Sequence, residues 1–179
     1  MLNGCITVPG NCLKWIRLHR DMDSADEYVE SLEADFNSIS KFLPLGVDSI
    51  LDIGCGLAGI DILLSRKYPL AEIHLMDNDG PGANKLSGLW STMQPYNSRE
   101  VANEFLAANG ITKQIWHDIG TQGLKADLVI SFRSWGFHYP LETYGVFGET
   151  TIVDIRGDSR FQKIAKIRKG WRCMIQEAA

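Results

Sequence analysis

The segment Leu51-Asp52-Ile53-Gly54-Cys55-Gly56-Leu57-Ala58-Gly59 carries the strongest chemical signal in the chain. Glycines at a strand-to-helix turn let the main chain approach a ligand that any Cβ would hold away. Two cofactor classes use such a turn. Read as G-x-G-x-x-G (Gly54, Gly56, Gly59), with Asp77 or Asp79 about twenty residues further on, it matches a dinucleotide fingerprint. Asp52 adds a second feature, since a dinucleotide fold would usually place an apolar side chain two residues before the first glycine. A carboxylate inside the strand at that point suggests a cationic ligand group nearby. Asp77 suits both classes, because a carboxylate can accept hydrogen bonds from the paired hydroxyls of a ribose. Its alternative role is that of a turn residue before Asn78-Asp79-Gly80.

A second constellation is the aromatic and polar run Ser131-Phe132-Arg133-Ser134-Trp135-Gly136-Phe137-His138-Tyr139-Pro140. His138 is the residue to nominate as a general base, because an imidazole titrates near pH 6.5. The alternative is that it packs between Phe137 and Tyr139. Arg133 either clamps an anionic group or pairs with a surface acid such as Glu142. Cys5, Cys12, Cys55 and Cys173 form no C-x-x-C pair and have no histidine at ligand spacing, so neither a metal site nor a disulfide framework is expected.

Leu51 to Gly56, reading L-D-I-G-C-G, resembles the first motif of class I S-adenosylmethionine-dependent methyltransferases, and a weaker likeness runs from about Ser49 to Ile155. The resemblance implies that Asp52, Gly54 and Gly56 lie around the methionine part of S-adenosylmethionine. It implies that Asp77 binds the ribose, that Asp118 contacts the adenine amine and that Ser131 adds a further cofactor contact. Arg133, Trp135 and Tyr139 then line the wall facing a small-molecule acceptor, with His138 as the catalytic base. Trp116 and His117 are able to flank the ring. The chain departs from the family pattern at Ala58, where a third glycine is usual and Gly59 follows one residue later. The family's closing pair of antiparallel strands is also reduced to one. The Asp-Pro-Pro-Tyr type of loop found in enzymes that methylate nucleic-acid bases is absent, which favours a small acceptor and no nucleic-acid partner. Three other readings stay open: an NAD(P)-dependent oxidoreductase, a non-catalytic S-adenosylmethionine binder, and an interaction protein that has lost the pocket.

These residues need a scaffold that brings strand ends together. After Met1 to Asp23, which shows no assignable element and is read as an arm or lid, Ser24 and Glu27 make a capping box. Tyr28, Leu32, Phe36, Ile39 and Leu43 then give an amphipathic helix, stopped by Pro44 and Gly46. Strands are expected at Ser49 to Ile53, Glu72 to Met76, Thr112 to Trp116, Asp127 to Phe132 and Thr150 to Ile155, with a last one at Trp171 to Ile175. Helices are expected at Gly59 to Lys67, from a cap at Asn97 to Asn109, and at Ser159 to Lys169. Alternating strands and helices predict an α/β fold, a Rossmann-like three-layer α/β/α sandwich with a mostly parallel central sheet. Residues 1–46 would form an arm and helix packed on a methyltransferase domain of residues 47–179, one globular unit in all.

A chain of 179 residues with 45% hydrophobic side chains is expected to build one substantial core. Its formal charge of -4 gives no general attraction to nucleic acid or an acidic membrane, and no apolar run is long enough for a span. A soluble protein in a reducing, cytoplasmic setting is the expectation. Asp21 to Asp35 carries seven acids, and Arg156 to Arg172 carries seven bases with one acid. They are able to pair within the fold or between the chains of a homodimer, and the basic group reads first as a solvated helix face.

Overall fold

Ser49-Ile50-Leu51-Asp52-Ile53 is a short apolar run bounded by Asp48 and Gly54, the pattern of a strand covered on both faces. The computed structural model describes residues 5–79, 97–132, 134, 148–155 and 172–177. In chain order its elements are α1 (Leu13–Arg20), α2 (Ala25–Ile39), β1 (Ser49–Ile53), α3 (Gly59–Lys67), β2 (Glu72–Met76), α4 (Arg99–Ala108), β3 (Gln114–His117), β4 (Leu128–Ser131), β5 (Thr150–Ile155) and β6 (Arg172–Glu177). The six strands form one sheet in the order β3-β2-β1-β4-β5-β6, and every neighbouring pair is parallel.

This is a Rossmann-like α/β fold. Parallel neighbours require crossovers, and the steps β1-α3-β2 and β2-α4-β3 both move outward on the same side of β1. Right-handed crossovers therefore place α3 and α4 on one face, where they touch each other and α3 also touches α2. The order reverses between β1 and β4, which creates a switch point at the carboxyl ends of those strands.

Strand alternation sorts the core. Ile50, Ile73, Leu75, Leu128 and Ile130 point into the helical layer with Leu32, Ile39, Leu64 and Phe105. Leu51, Ile53, Val129 and Val153 point the other way and are equally buried, so both faces of the sheet are covered. Burying each such side chain contributes about 1.5–3 kcal/mol.

Several local expectations are corrected. The segment read as an arm contains α1, whose buried Trp15 and Ile16 join the common core together with Cys12, which caps the helix from the 3-10 turn Gly10–Cys12 before it. Arg20 at its end binds Asp35 of α2 at 3.1 Å. The first capping box holds, since Ser24 Oγ accepts from the Glu27 N–H at 3.1 Å. The cap of α4 is Ser98 rather than Asn97, with Ser98 Oγ accepting from the Val101 N–H. β3 begins at Gln114 because Ile111 belongs to the end of α4: its N–H bonds the Leu106 carbonyl and the Gly110 N–H bonds the Ala107 carbonyl. That pairing, with Gly110 at φ 86°, is a Schellman ending. β6 pairs parallel to β5, so the closing strand is not antiparallel. The expected helix Ser159 to Lys169 and the run Asn97 follows, from Gly80 onward, lie outside the described residues. Among the described residues, no helix is long and apolar enough to cross a membrane.

Candidate nucleoside-cofactor site

Beyond Ile53 the chain turns through Gly54 at φ 73° and Gly56 at φ 58°, both left-handed. The Gly54 N–H bonds the Met76 carbonyl at 2.6 Å, which seats the turn over the end of β2. A Cβ on Gly54 would collide with the Ser134 side chain, so the segment after β4 rests directly on the turn. At Gly56 a Cβ would meet no atom within 4 Å among the described residues, which leave this side of the turn open. Ala58 stands where the family pattern has a third glycine and adopts the left-handed conformation itself, at φ 56°. That conformation costs a residue with a Cβ about 1–2 kcal/mol. Gly59 serves packing instead: a Cβ there would lie 2.6 Å from Tyr28 Oη and 2.7 Å from a Leu32 methyl. The glycine lets α3 approach α2.

Asp77 follows the last residue of β2 and turns back toward the glycines. One carboxylate oxygen accepts from the Gly56 N–H at 2.7 Å, and the other from the Asn78 N–H at 2.7 Å. Partial burial pushes this carboxyl up to about 6, against the lowering effect of those N–H groups and of Arg99. Asp118 follows β3 in the same way. Its side chain is 87% exposed and binds Arg99 Nη2 at 2.6 Å. Asp77 and Asp118 are thus brought to adjacent strand ends, with Arg99 between them.

Arg99 escaped sequence reading. It is the first residue of α4, where the helix dipole disfavours a cation, and that mismatch is the signal that could have found it. The same Nη2 donates to the Asp77 carbonyl at 2.9 Å and to the His117 carbonyl at 3.2 Å. The guanidinium carbon lies 5.2 Å from the centroid of the Trp116 ring, whose indole N–H donates to Asn103 at 2.8 Å. Behind the strand ends, His117 Nε2 meets His74 Nδ1 at 2.9 Å, and His74 Nε2 meets Glu72 at 2.9 Å. The carboxylate only accepts, so it takes the Nε2–H of His74. Burial, and then the His74 and Arg99 charges, lower the His117 pKa.

Asp52 does not face the open side of the turn. Alternation along β1 sends it with Ile50 into the helical layer, where it is 2% exposed and lies against the fully buried Asp61 of α3. Burial and then the Asp61 charge raise its carboxyl, and Arg20 is the cation that opposes the rise. The expected cationic ligand group is therefore replaced by a buried carboxyl pair. Ser131 is wholly buried, and its hydroxyl donates to the Ile53 carbonyl at 2.7 Å, tying β4 to the root of the turn. Arg133, Trp135, His138 and Tyr139 lie outside the described residues. Among the described residues, no group of three metal-ligating side chains comes together.

No protein-family model matches the chain, and no curated protein does. Among solved structures it is similar to the apo form of the S-adenosylmethionine-dependent methyltransferase SibL, at 23% identity and a TM-score of 0.35 over 65% of this chain and 32% of that one. It is similar to the O-methyltransferase family 2 protein of Planctomyces limnophilus DSM 3776, solved with apigenin, at 17% identity and a TM-score of 0.37 over 68% of this chain and 36% of that one. It is similar to LaPhzM at 16% identity and a TM-score of 0.34, over 65% of this chain and 32% of that one. The chain spans about a third of the length of these proteins.

Proposed function

We propose that the chain binds S-adenosylmethionine over its glycine turn and transfers the methyl group to a small-molecule acceptor. The observation that carries this reading is the Asp77 carboxylate, held at the end of β2 against the N–H of Gly56, where among the described residues a Cβ would meet no atom within 4 Å. In this reading Gly54 and Gly56 face the methionine part, Asp77 takes the ribose hydroxyls and Asp118 takes the adenine amine. The residues present fit such a group, since each Asp77 oxygen that binds one N–H retains capacity for a hydroxyl. When bound, the cofactor supplies an electrophilic methyl group on its sulfonium.

The chain's own contribution is then to hold the acceptor atom in line and keep water out. Ser134 lies against Gly54 of the turn, which supports giving its neighbours in sequence the acceptor side of the site. Arg133, Trp135 and Tyr139 would line the acceptor wall. His138 would take the acceptor proton where the acceptor keeps one at neutral pH. A cytoplasmic setting belongs to the same reading and agrees with the free thiols of Cys5, Cys12 and Cys55. Pairing into homodimers does too.

One observation favours a second reading. The wholly parallel order β3-β2-β1-β4-β5-β6 is that of dinucleotide-binding folds, in which Asp77 would hold an NAD ribose. Arg99 is already engaged by two carbonyls and Asp118, which leaves NADP the poorer fit. Calorimetric titration with S-adenosylmethionine, S-adenosylhomocysteine, NAD and NADP separates the two. One-site binding of the first two alone is expected, weakened in Asp77→Ala by about 1.5–3 kcal/mol, the value of a charge-assisted hydrogen bond. Binding of NAD alone would establish the oxidoreductase instead.

A further inference from the structure

The parallel ladder between β2 and β3 ends with Met76 opposite His117 and one further bond, from the Asp77 N–H to the His117 carbonyl at 3.3 Å. Past that point the two strands have no main-chain reason to stay together. The Asp77 and Asp118 carboxylates begin there. Arg99 supplies the missing rung, because its Nη2 reaches the Asp77 carbonyl, the His117 carbonyl and the Asp118 carboxylate together.

We propose that Arg99 is the positioning residue of the nucleoside pocket, a cationic clamp that fixes Asp77 and Asp118 at the spacing a ribose and its purine require. The proposal rests on the cofactor reading above. Three independent features agree with it. The Arg99 side chain is 23% exposed, so the cation itself is shielded although its Asp118 partner stands in solvent. Its plane is backed by Trp116, which Asn103 of the same helix holds in place. Its own N–H donates to Asp79 at 3.3 Å, which draws the acids that follow β2 toward the start of α4. A cation at a helix N-terminus opposes the dipole, so the acceptors gathered around Arg99 have to outweigh that loss.

The clamp also has an electrostatic consequence. Arg99 lowers the Asp77 carboxyl, whereas burial raises it; Asp52, Cys55 and Asp118 are the other charged or titratable groups around it. Removing the cation raises Asp77 further, so ligand binding that needs the carboxylate moves to higher pH. A role confined to packing moves no titration.

The test compares wild type, Arg99→Lys and Arg99→Met in the whole chain. Two readouts are used: calorimetric affinity for S-adenosylhomocysteine at pH 6 and pH 8, and the Asp77 carboxyl titration followed by ¹³C NMR without ligand. Arg99→Met is expected to weaken binding about tenfold at pH 8 and more at pH 6, and to shift the Asp77 midpoint upward. Arg99→Lys keeps a charge with three donors and is expected to restore most of both. An unchanged Asp77 midpoint with unchanged affinity in a folded Arg99→Met, or in Arg99→Lys no better than Arg99→Met, overturns the proposal. Should Arg99→Met not fold, Asp118→Asn tests the same clamp from its acceptor side, and an unaltered affinity there overturns it. Wild type that fails to bind S-adenosylhomocysteine refutes the cofactor reading, and the ligand-free titration still reports whether Arg99 governs Asp77.

Discussion

The Asp52–Asp61 pair should make stability fall as pH rises, and Asp61→Asn should remove the share of that fall that Asp61 carries. Burial raises both carboxyls, Asp61 to about 7 from an ordinary 3.8. The folded chain therefore keeps a proton that the unfolded chain releases above about pH 4. Stability from this source is complete below that pH and is lost as pH climbs through about 7. An interval of about three pH units corresponds to ~4 kcal/mol at about 1.36 kcal/mol each. Because two carboxyls titrate together, with Arg20, Tyr28 and Asp77 nearby, we expect about 2–4 kcal/mol to be realised. An asparagine amide at position 61 can donate to Asp52 as the shared proton does, and it cannot be titrated away. Urea unfolding at pH 5 and pH 8 should show the substitution nearly neutral at the first and stabilising by about 2–4 kcal/mol at the second. An equal effect at both pH values would show that the pair does not hold its proton, and the argument from burial would fail.

Gly59→Ala places a methyl against Tyr28 Oη and Leu32, and should lower the unfolding free energy by about 1–3 kcal/mol, with partial recovery when Tyr28→Phe removes the nearer atom. Asp127 accepts from the Asp48 N–H at 2.8 Å and from the Ser49 N–H at 2.9 Å, which keeps its carboxyl below the usual range. Asp127→Ala should therefore cost about 1–2 kcal/mol at pH 7 in denaturant melts, a loss that fades as acid protonates the wild type. Ligand binding carries the opposite pH sign to the buried pair, because Asp77 must ionise near 6 to accept from a ribose. The rise in melting temperature caused by S-adenosylhomocysteine should be larger at pH 8 than at pH 5.5, and equal rises would remove Asp77 from the contact.

What was legible in the sequence followed from uninterrupted local signals. β1, α3, β2 and β5 occupy the expected residues because each is an apolar run between turn residues, a pattern that tertiary contacts had no cause to override. α1 was hidden because its buried residues are Trp15 and Ile16 behind a capping Cys12, set among basic residues that read as an irregular patch. The strand expected from Thr112 begins only at Gln114, because the residues just before it finish the Schellman ending of α4, in which Ile111 binds back to the helix. At the site, Asp77 was nominated by its spacing from the glycines, which the length of the β1-α3-β2 unit sets. Arg99 was not, because its partners Asp77, His117 and Asp118 lie 18 to 22 residues away and only strand pairing brings them together.

The misreading of Asp52 shows how the fold assigns work to similar groups. Asp52, Asp77 and Asp118 lie at or near the ends of β1, β2 and β3, and their residue type is the same. Alternation turns Asp52 inward, where it is 2% exposed and lies against Asp61, and burial favours its protonated form. Asp77 lies one residue beyond its strand, where the Gly56 N–H can reach it, and it is poised to ionise near neutral pH. Asp118 stands in solvent, and its position depends on Arg99. Asp52 lies within its strand, whereas Asp77 lies one residue past the end of its own. Leaving the sheet, and not residue type, thus separates the buried carboxyl from the one that can reach the glycine turn, and the cation that joins Asp77 and Asp118 comes from a helix about twenty residues away in the chain.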